Sequence, residues 1–135
     1  MLILNPTSVS FGGTEWPDVR FIAVERSTSR LVLERSDAGP HVVLADAAEE
    51  TVTLRVGQHL ADHAEPPLRC GDQAELAFFT SPSAGSARRE RIRTVAVVTE
   101  VKYDFTPDRS AVRTIRLVAI SPDGNSDPIA TEPAD

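Results

Sequence analysis

The 135-residue sequence has a single cysteine, few aromatic residues and no long apolar run. Because Cys70 has no partner, no intrachain disulfide can form, and the cysteine content does not indicate an oxidising compartment. The N-terminus is apolar only over MLIL and lacks the basic start of a signal peptide. No run reaches the ~20 residues that a membrane-spanning helix needs. We therefore expect one soluble domain, made and kept in a cytoplasm, with no membrane partner.

Positive charge is also scarce. The chain has 14 Lys and Arg against 20 Asp and Glu, which is a formal net charge of −6. A dedicated nucleic-acid-binding module usually carries a basic face, so this composition argues against one. An acidic wall would instead repel phosphates and let nucleic acid pass without binding.

Sequence motifs that carry catalysis are missing as well: there is no G-x-S-x-G, no P-loop and no G-x-G-x-x-G. We therefore predict that the protein is not an enzyme and uses no cofactor. His59 and His63 have the spacing of zinc ligands on one helical face and lie near Cys70, so a metal-dependent enzyme is one alternative. Residues 123–127 read D-x-N-x-D like the start of a calcium loop, but Pro128 stands where that loop needs glycine. We predict no metal at either place.

What the sequence does contain is a series of β-rich runs separated by turn residues. Its apolar residues are mostly Val, Leu, Ile and Ala, which suit a pleated, half-buried surface. The strongest signal is a pair of long runs, residues 91–103 and 111–121, which predict a long antiparallel hairpin. In the first run Val97, Thr99, Val101 and Tyr103 are predicted to share one face. Residues 51–56 alternate strictly, which predicts a strand with Val52, Leu54 and Val56 on one face.

A second, shorter hairpin is predicted over residues 19–35, with residues 27–29 as its loop. Helical propensity is confined to residues 46–64, with at best a short helix at residues 57–64. Strands without alternating helices argue against a parallel sheet. We therefore predict a mainly β fold, an antiparallel β-sandwich or barrel of roughly seven to nine strands with at most one short helix. Residues 1–122 form the domain, and the acidic tail at residues 123–135 is expected to be ordered only where a neighbour holds it.

Charged clusters and one flexible loop are the candidate interaction sites. A basic cluster precedes the first long run, and acidic residues gather at residues 46–50 and in the tail. A solvated strand edge is the simplest interpretation of the basic cluster. The functional interpretation is a set of ion pairs between subunits, for which the acidic residues supply the opposite charge, and phosphate binding comes third. The small, polar loop at residues 81–89, or the 19–35 hairpin, is expected to contact a neighbouring subunit. The candidate interface residues are Arg88, Arg89, Arg91, Arg93, Glu49, Glu50, Ser83 and Gly85.

One pattern extends over most of the chain. It consists of residues 5–13 (NPTSVSFGG), residues 19–26 (VRFIAVER), the long penultimate strand and the closing run at residues 113–124 (RTIRLVAISPDG). This pattern resembles the phage tail tube proteins and their relatives in secretion tubes. The resemblance implies a β-barrel or sandwich flanked by a short helix, closed into rings that are usually hexameric and that stack into a hollow conduit for DNA.

The resemblance further implies a structural, homo-oligomeric subunit of the virion tail, made in the bacterial host cytoplasm. Other tail or baseplate proteins are its expected partners, and no catalytic or cofactor residue is carried over. DNA is expected to pass without specific binding, along a lumen that is net acidic. The alternative is a non-catalytic binding or decoration module, either carbohydrate-binding or capsid-associated, on the same β architecture.

Overall fold

The computed structural model describes residues 1–60, 67–80, 89–105 and 111–134. In this part of the chain every regular element is a β-strand, which confirms the prediction of a mainly β fold. The strands are β1 Leu2–Leu4, β2 Thr7–Phe11, β3 Thr14–Glu15, β4 Val19–Arg35, β5 Val42–Leu60, β6 Gln73–Phe79, β7 Glu90–Phe105, β8 Ala111–Ile120 and β9 Ala130–Pro133.

The strands form one antiparallel sheet in the order β1-β4-β5-β8-β7-β6-β2-β3, with β9 pairing β7 beyond the end of β8. Strands β1 and β2 lie towards opposite ends of this order, yet only Asn5 and Pro6 separate them in the chain. So short a connection spans on the order of 10 Å. The sheet therefore has to curl until its two ends approach each other, and it forms a half-barrel.

The curled sheet buries one face, called here the inner face, and leaves the other, the outer face, largely towards solvent. Along β5 the predicted alternation is confirmed, because Val52, Leu54 and Val56 are all buried. The inner face of the neighbouring strands supplies the rest of the core. Its fully or nearly fully buried apolar members include Ile22, Val24, Leu76, Phe78, Ile92, Ala96, Val98, Ile115 and Leu117.

The predicted hairpin at residues 19–35 is wrong. These residues form the single strand β4, and Ser27 and Thr28 pair with Thr51 and Glu50 of β5. The chain turns later, within residues 36–41, where Asp, Gly and Pro supply stronger turn chemistry than a Ser-Thr-Ser run does.

The short helix predicted at residues 57–64 is also not found where the chain is described. Residues 57–60 complete β5 and pair with β8, and residues 61–64 lie outside the described residues. The helical propensity of residues 46–50 gives way to strand in the same manner, because β4 pairs with them along their length. Tertiary pairing therefore overrides a weak local preference.

A β-bulge divides β7. Its pairing with β8 shifts between Val98 and Glu100, so Thr99 is the extra residue. Val97 therefore pairs with Val118 on the outer face, whereas Val101 pairs with Ile115 of the core. The prediction that Val97 and Val101 share a face is wrong for this reason.

The outer face contains a tight contact between Phe21 and Gly57, which are cross-strand partners on β4 and β5. A Cβ atom at position 57 would lie 2.6 Å from Cζ and 2.7 Å from Cδ1 of the Phe21 ring. We expect Gly57→Ala to lower the free energy of unfolding by about 1–3 kcal/mol, because the ring has to move. In a Phe21→Ala background the same change should cost far less, as urea denaturation of the four proteins in the double-mutant cycle will measure. An equal cost in both backgrounds would contradict the contact.

Candidate assembly surfaces

Strands β4 and β5 extend well beyond the rest of the sheet. β1 pairs with β4 only from Phe21 to Ala23, and β8 pairs with β5 only from Thr53 to Leu60. Within residues 28–50, β4 and β5 pair with each other and with no other described strand. Residues 28–50 therefore form a two-stranded projection, called here the arm, roughly 25 Å long at the usual rise of a strand.

The two faces of the arm differ in composition. Leu33 pairs with Ala45, and Leu31 lies two residues before Leu33 on the same face of β4, so the described side chains of this face are apolar over this stretch. Leu31 is 56% exposed and the neighbouring Val43 is 64% exposed. Contiguous exposed apolar side chains of this kind mark an interaction site. The opposite face is mixed and carries Arg30, Val32, Glu34, Leu44 and Asp46.

The base of the arm is tied to the loop that follows β8. The guanidinium of Arg26 lies 3.0 Å from Oε1 of Glu50 and 3.0 Å from Oδ2 of Asp127. Asp127 also accepts a hydrogen bond from the amide of Ile129, and this bond, with Arg26, holds its pKa below the ordinary value. The candidate interface residue Glu50 thus has an ion-pair partner in its own chain. Because these side chains are about half exposed, the pairs contribute at most about 1 kcal/mol each.

The basic cluster likewise has partners in its own chain. Arg93 donates to both carboxylate oxygens of Glu75, at 3.2 and 3.1 Å, and lies 3.4 Å from Glu132 of β9. This bidentate hydrogen bond from Arg93 lowers the pKa of Glu75. The pairing joins β6, β7 and β9 across the outer face.

Arg89 and Arg91 lie over the ring of Phe79, with their guanidinium carbons 5.1 and 5.9 Å from its centroid. Arg89 also donates to Oγ1 of Thr7 at 2.9 Å. The other candidates near this cluster, Arg88, Ser83 and Gly85, lie outside the described residues. A contact of this cluster with a neighbouring subunit stays a prediction.

The acidic tail is held by its own chain, unlike our expectation that a neighbour is required. Strand β9 pairs with Glu90–Arg93 at the start of β7. In the preceding loop, Asp123 accepts hydrogen bonds from the amides of Ser126 and Asn125, at 2.7 and 2.9 Å. It also accepts bonds from the hydroxyls of Ser126 and Ser121. The D-x-N-x-D pattern is therefore a turn that satisfies its own carboxylate.

These hydrogen bonds, the amide of Ser126 foremost, hold the pKa of Asp123 far below its ordinary value of 3.8. Because the pKa of Asp123 is lower in the folded state, its carboxylate stabilises the turn fully at pH values above the unfolded-state pKa. This stabilisation is lost as the pH falls through the folded-state pKa. We expect the amides of Asn125 and Ser126 to stay protected from hydrogen exchange at pH 4. The variant Asp123→Ala should expose both amides, whereas Ser36→Ala, in the arm turn, should leave them unchanged. Equal protection in Asp123→Ala would contradict this role of the carboxylate.

No family model and no curated protein matches this sequence.

The residues considered as zinc ligands make other contacts or lie outside the described residues. His59, on β5, has Nδ1 3.6 Å from Asp18, and the thiol of Cys70 donates to the carbonyl oxygen of Thr99 at 3.3 Å. His63 is outside the described residues. Among the residues that are described, no three His, Cys, Asp or Glu side chains are grouped so that they could hold a metal ion. The same residues include no helix with the length and hydropathy of a membrane span.

Sequence reasoning missed one buried charge. Arg113 is 1% exposed on the inner face of β8 and donates from Nε and Nη2 to Oε1 of Gln58, at 3.0 and 2.6 Å. Its guanidinium carbon lies 5.6 Å from the ring centroid of Trp16, which in turn stacks on Phe11. The alternation of β8 contained the signal, because position 113 falls in step with the core residues Ile115 and Leu117.

Proposed function

We propose that this protein is a structural subunit that assembles with copies of itself into stacked rings, forming a tube such as the DNA conduit of a phage tail. The observation that carries the proposal is the arm, which presents an apolar face away from the core of its own chain. A neighbouring subunit removes that face from water. The curled sheet supplies a wall element, and the resemblance to tail tube proteins points to the same kind of assembly.

The size of the arm favours an assembly over a simple pair. Two strands about 25 Å long and about 5 Å apart offer roughly 250 Å² on one face. A stable two-body interface buries about 800 Å² on each partner. The arm therefore serves best where each subunit has several neighbours, as in a ring or a stack of rings, so that several small contacts act together.

The open strand edges of the arm support the same proposal. Beyond Val24, whose amide and carbonyl are bonded to Met1, the edge of β4 away from β5 has no strand partner among the described residues. The edge of β5 away from β4 likewise has none before Thr53. Long unpaired edges favour uncontrolled association unless something covers them. Regular neighbours in an assembly cover them in a controlled way.

Burial excludes Trp16 as the sugar-stacking ring of a carbohydrate-binding module, the alternative function, whereas Tyr103 and Phe105 are exposed. Such modules stack sugars on exposed aromatic rings, but Trp16 is buried against Phe11 and the guanidinium of Arg113. The tryptophan therefore acts in the core.

Electron microscopy and sedimentation velocity of the purified protein test the proposal. We expect rings or stacked rings whose proportion grows with protein concentration. A protein that sediments as a monomer at every concentration would overturn it. A structure of the assembled form with a strongly basic lumen would reject the DNA-conduit part alone, because a basic wall binds phosphates.

The response of assembly to salt is a separate prediction. Arg26 and Arg93 have ion-pair partners in their own chain, so apolar contacts of the arm should dominate between subunits. We expect assembly to persist or strengthen as sodium sulfate is added, since excluded salts favour apolar burial. Sedimentation at increasing salt measures this. Dissociation at about 1 M salt would instead indicate exposed ion pairs between subunits.

A further inference from the structure

Two arginines stand directly opposite each other in the middle of the outer face. Arg55 of β5 is the register partner of Arg116 of β8, and both side chains are exposed. Side chains in such positions have Cβ atoms about 5 Å apart, so like charges there repel each other. Lys102 of β7 adds a third cation, because its register partner Thr114 lies two residues before Arg116. These three cations are called here the cationic patch.

The chain neutralises the cationic patch only in part. Among the described residues, no carboxylate forms an ion pair with any of the three cations. Glu100 is the register partner of Arg116 on its other side, and the guanidinium of Arg55 lies over the ring of Phe21, 5.7 Å from its centroid. Three cations facing the one carboxylate of Glu100 leave a charge of +2, on a chain whose net charge is −6. A partner that supplies carboxylates removes the repulsion within the patch.

The arm carries carboxylates of this kind on the face opposite to its apolar face, called here the mixed face. Glu34 and Asp46 are exposed and lie there in diagonal positions on adjacent strands, because Asp46 pairs with Val32 and Glu34 pairs with Leu44. Diagonal neighbours of this kind lie about 7 Å apart. Neither carboxylate forms an ion pair with a described residue.

The mixed face and the cationic patch match in charge and in spacing, but they cannot meet within one copy. Arg30 and Glu49, the other charged residues of the mixed face, stand opposite each other, so the net charge of this face comes from the two diagonal carboxylates. Asp46 and Arg55 lie on the same strand, nine residues apart, which is about 30 Å. A contact between the two surfaces therefore joins two copies. It is heterologous, so it repeats from copy to copy as a ring requires.

We propose that the mixed face of the arm of one copy lies on the cationic patch of the next copy, with Glu34 and Asp46 against Arg55 and Arg116. This inference rests on the proposed function and names the surface of a neighbour that receives the second face of the arm. Exposed ion pairs add little affinity, so these pairs select the partner surface and fix its register, while the apolar face of the arm supplies most of the affinity.

A second copy suits the cationic patch better than a nucleic acid does. Asp104 lies two residues after Lys102 on the same face, so two carboxylates, those of Glu100 and Asp104, accompany the three cations along this part of the sheet. Carboxylates repel phosphates, and the acidic chain as a whole does the same. A pair of carboxylates on a two-stranded ribbon needs only the two facing arginines.

Exchange of charge between two variants tests the contact. The first variant carries Arg55→Glu and Arg116→Glu, and the second carries Glu34→Arg and Asp46→Arg. In either variant alone the facing charges are alike, so at about 50 mM salt we expect half-maximal assembly to need at least about tenfold more protein than wild type. An equimolar mixture should assemble at the wild-type concentration, because arm and patch are complementary wherever the two variants alternate. Sedimentation velocity measures all three samples.

The matched control reverses Arg20 and Arg69, two exposed arginines outside the patch, and should assemble like wild type although its net charge changes as much as that of the first variant. Wild-type protein that stays monomeric would contradict the proposed function and this inference together. Wild-type assembly with no loss in either variant, or with no recovery in the mixture, would overturn the arm-to-patch contact alone. Binding of a duplex DNA oligonucleotide that Arg55→Glu with Arg116→Glu abolishes, with assembly unchanged, would assign the patch to phosphate instead.

Discussion

Replacing Gln58 with leucine is expected to lower the free energy of unfolding by about 3–5 kcal/mol. Gln58 is completely buried, and its Oε1 accepts hydrogen bonds from both Nε and Nη2 of Arg113. Its Nε2 donates to the carbonyl oxygen of Pro17 at 2.8 Å. Leucine removes the acceptor from a buried cation and the donor from the Pro17 carbonyl. The guanidinium of Arg113, which is 1% exposed, then lies away from water without these bonds, which costs more than the bonds contributed.

Urea denaturation of Gln58→Leu, Arg113→Met and the double variant measures this effect. We expect the double variant to be markedly more stable than the sum of the two single changes predicts, because apolar side chains of similar volume replace the whole polar pair. Val112→Ala, on the outer face of the same strand, controls for an ordinary loss of side-chain volume. A cost below about 1 kcal/mol for Gln58→Leu would show that the buried pair is not important for stability.

The sequence pattern predicts those parts of the fold that depend on local alternation. Residues 51–56 alternate strictly, and the sheet buries Val52, Leu54 and Val56 together. The long hairpin of β7 and β8 follows from two β-rich runs joined by turn residues. Along residues 51–56 the side chains that alternate are those that meet the core, so the pattern and the structure have one cause.

Other parts of the fold depend on pairing between distant residues, which one sequence does not display. The bulge at Thr99 moves the side chains that follow it in β7 to the opposite faces of the sheet, and no turn residue in the sequence indicates this. The length of the arm is hidden because its apolar residues alternate as core residues do. Both faces of the arm follow the ordinary alternation of a strand. They are uncovered only because the pairing of β1 and β8 ends before the arm begins.

The candidate interface residues illustrate the same limit. Arg93 and Glu75 are far apart in the sequence, yet the register of β6 and β7 brings them into a bidentate pair. Arg26 and Asp127 meet in the same way at the base of the arm. Charge clusters in a sequence therefore indicate where charged side chains lie, but not whether their ion-pair partners belong to the same chain.

Changing Leu31 and Leu33 together to serine is expected to abolish assembly while leaving the monomer folded. Both side chains lie on the apolar face of the arm, outside the core, so the unfolding transition should stay where it is. Burial of the two exposed leucine surfaces contributes on the order of 2–3 kcal/mol to each contact. That corresponds to roughly 30- to 150-fold in the affinity of one contact. In a ring every subunit repeats the loss, so the assembled form should disappear at concentrations where wild-type protein is fully assembled.

The opposite face of the arm provides the matched control. Val32 and Leu44 are also exposed apolar residues on the same two strands, but they alternate with Glu34 and Asp46. If the apolar face alone seats on a neighbour, the double change of Val32 and Leu44 to serine should retain rings and tubes in electron microscopy. Light scattering after size exclusion should then give a monomer for the first variant and wild-type mass for the second. Equal assembly of the two variants would show that the arm does not make the contact. Equal loss of assembly would show that neighbours cover both faces of the arm, as happens when a two-stranded ribbon inserts between two subunits instead of lying on one.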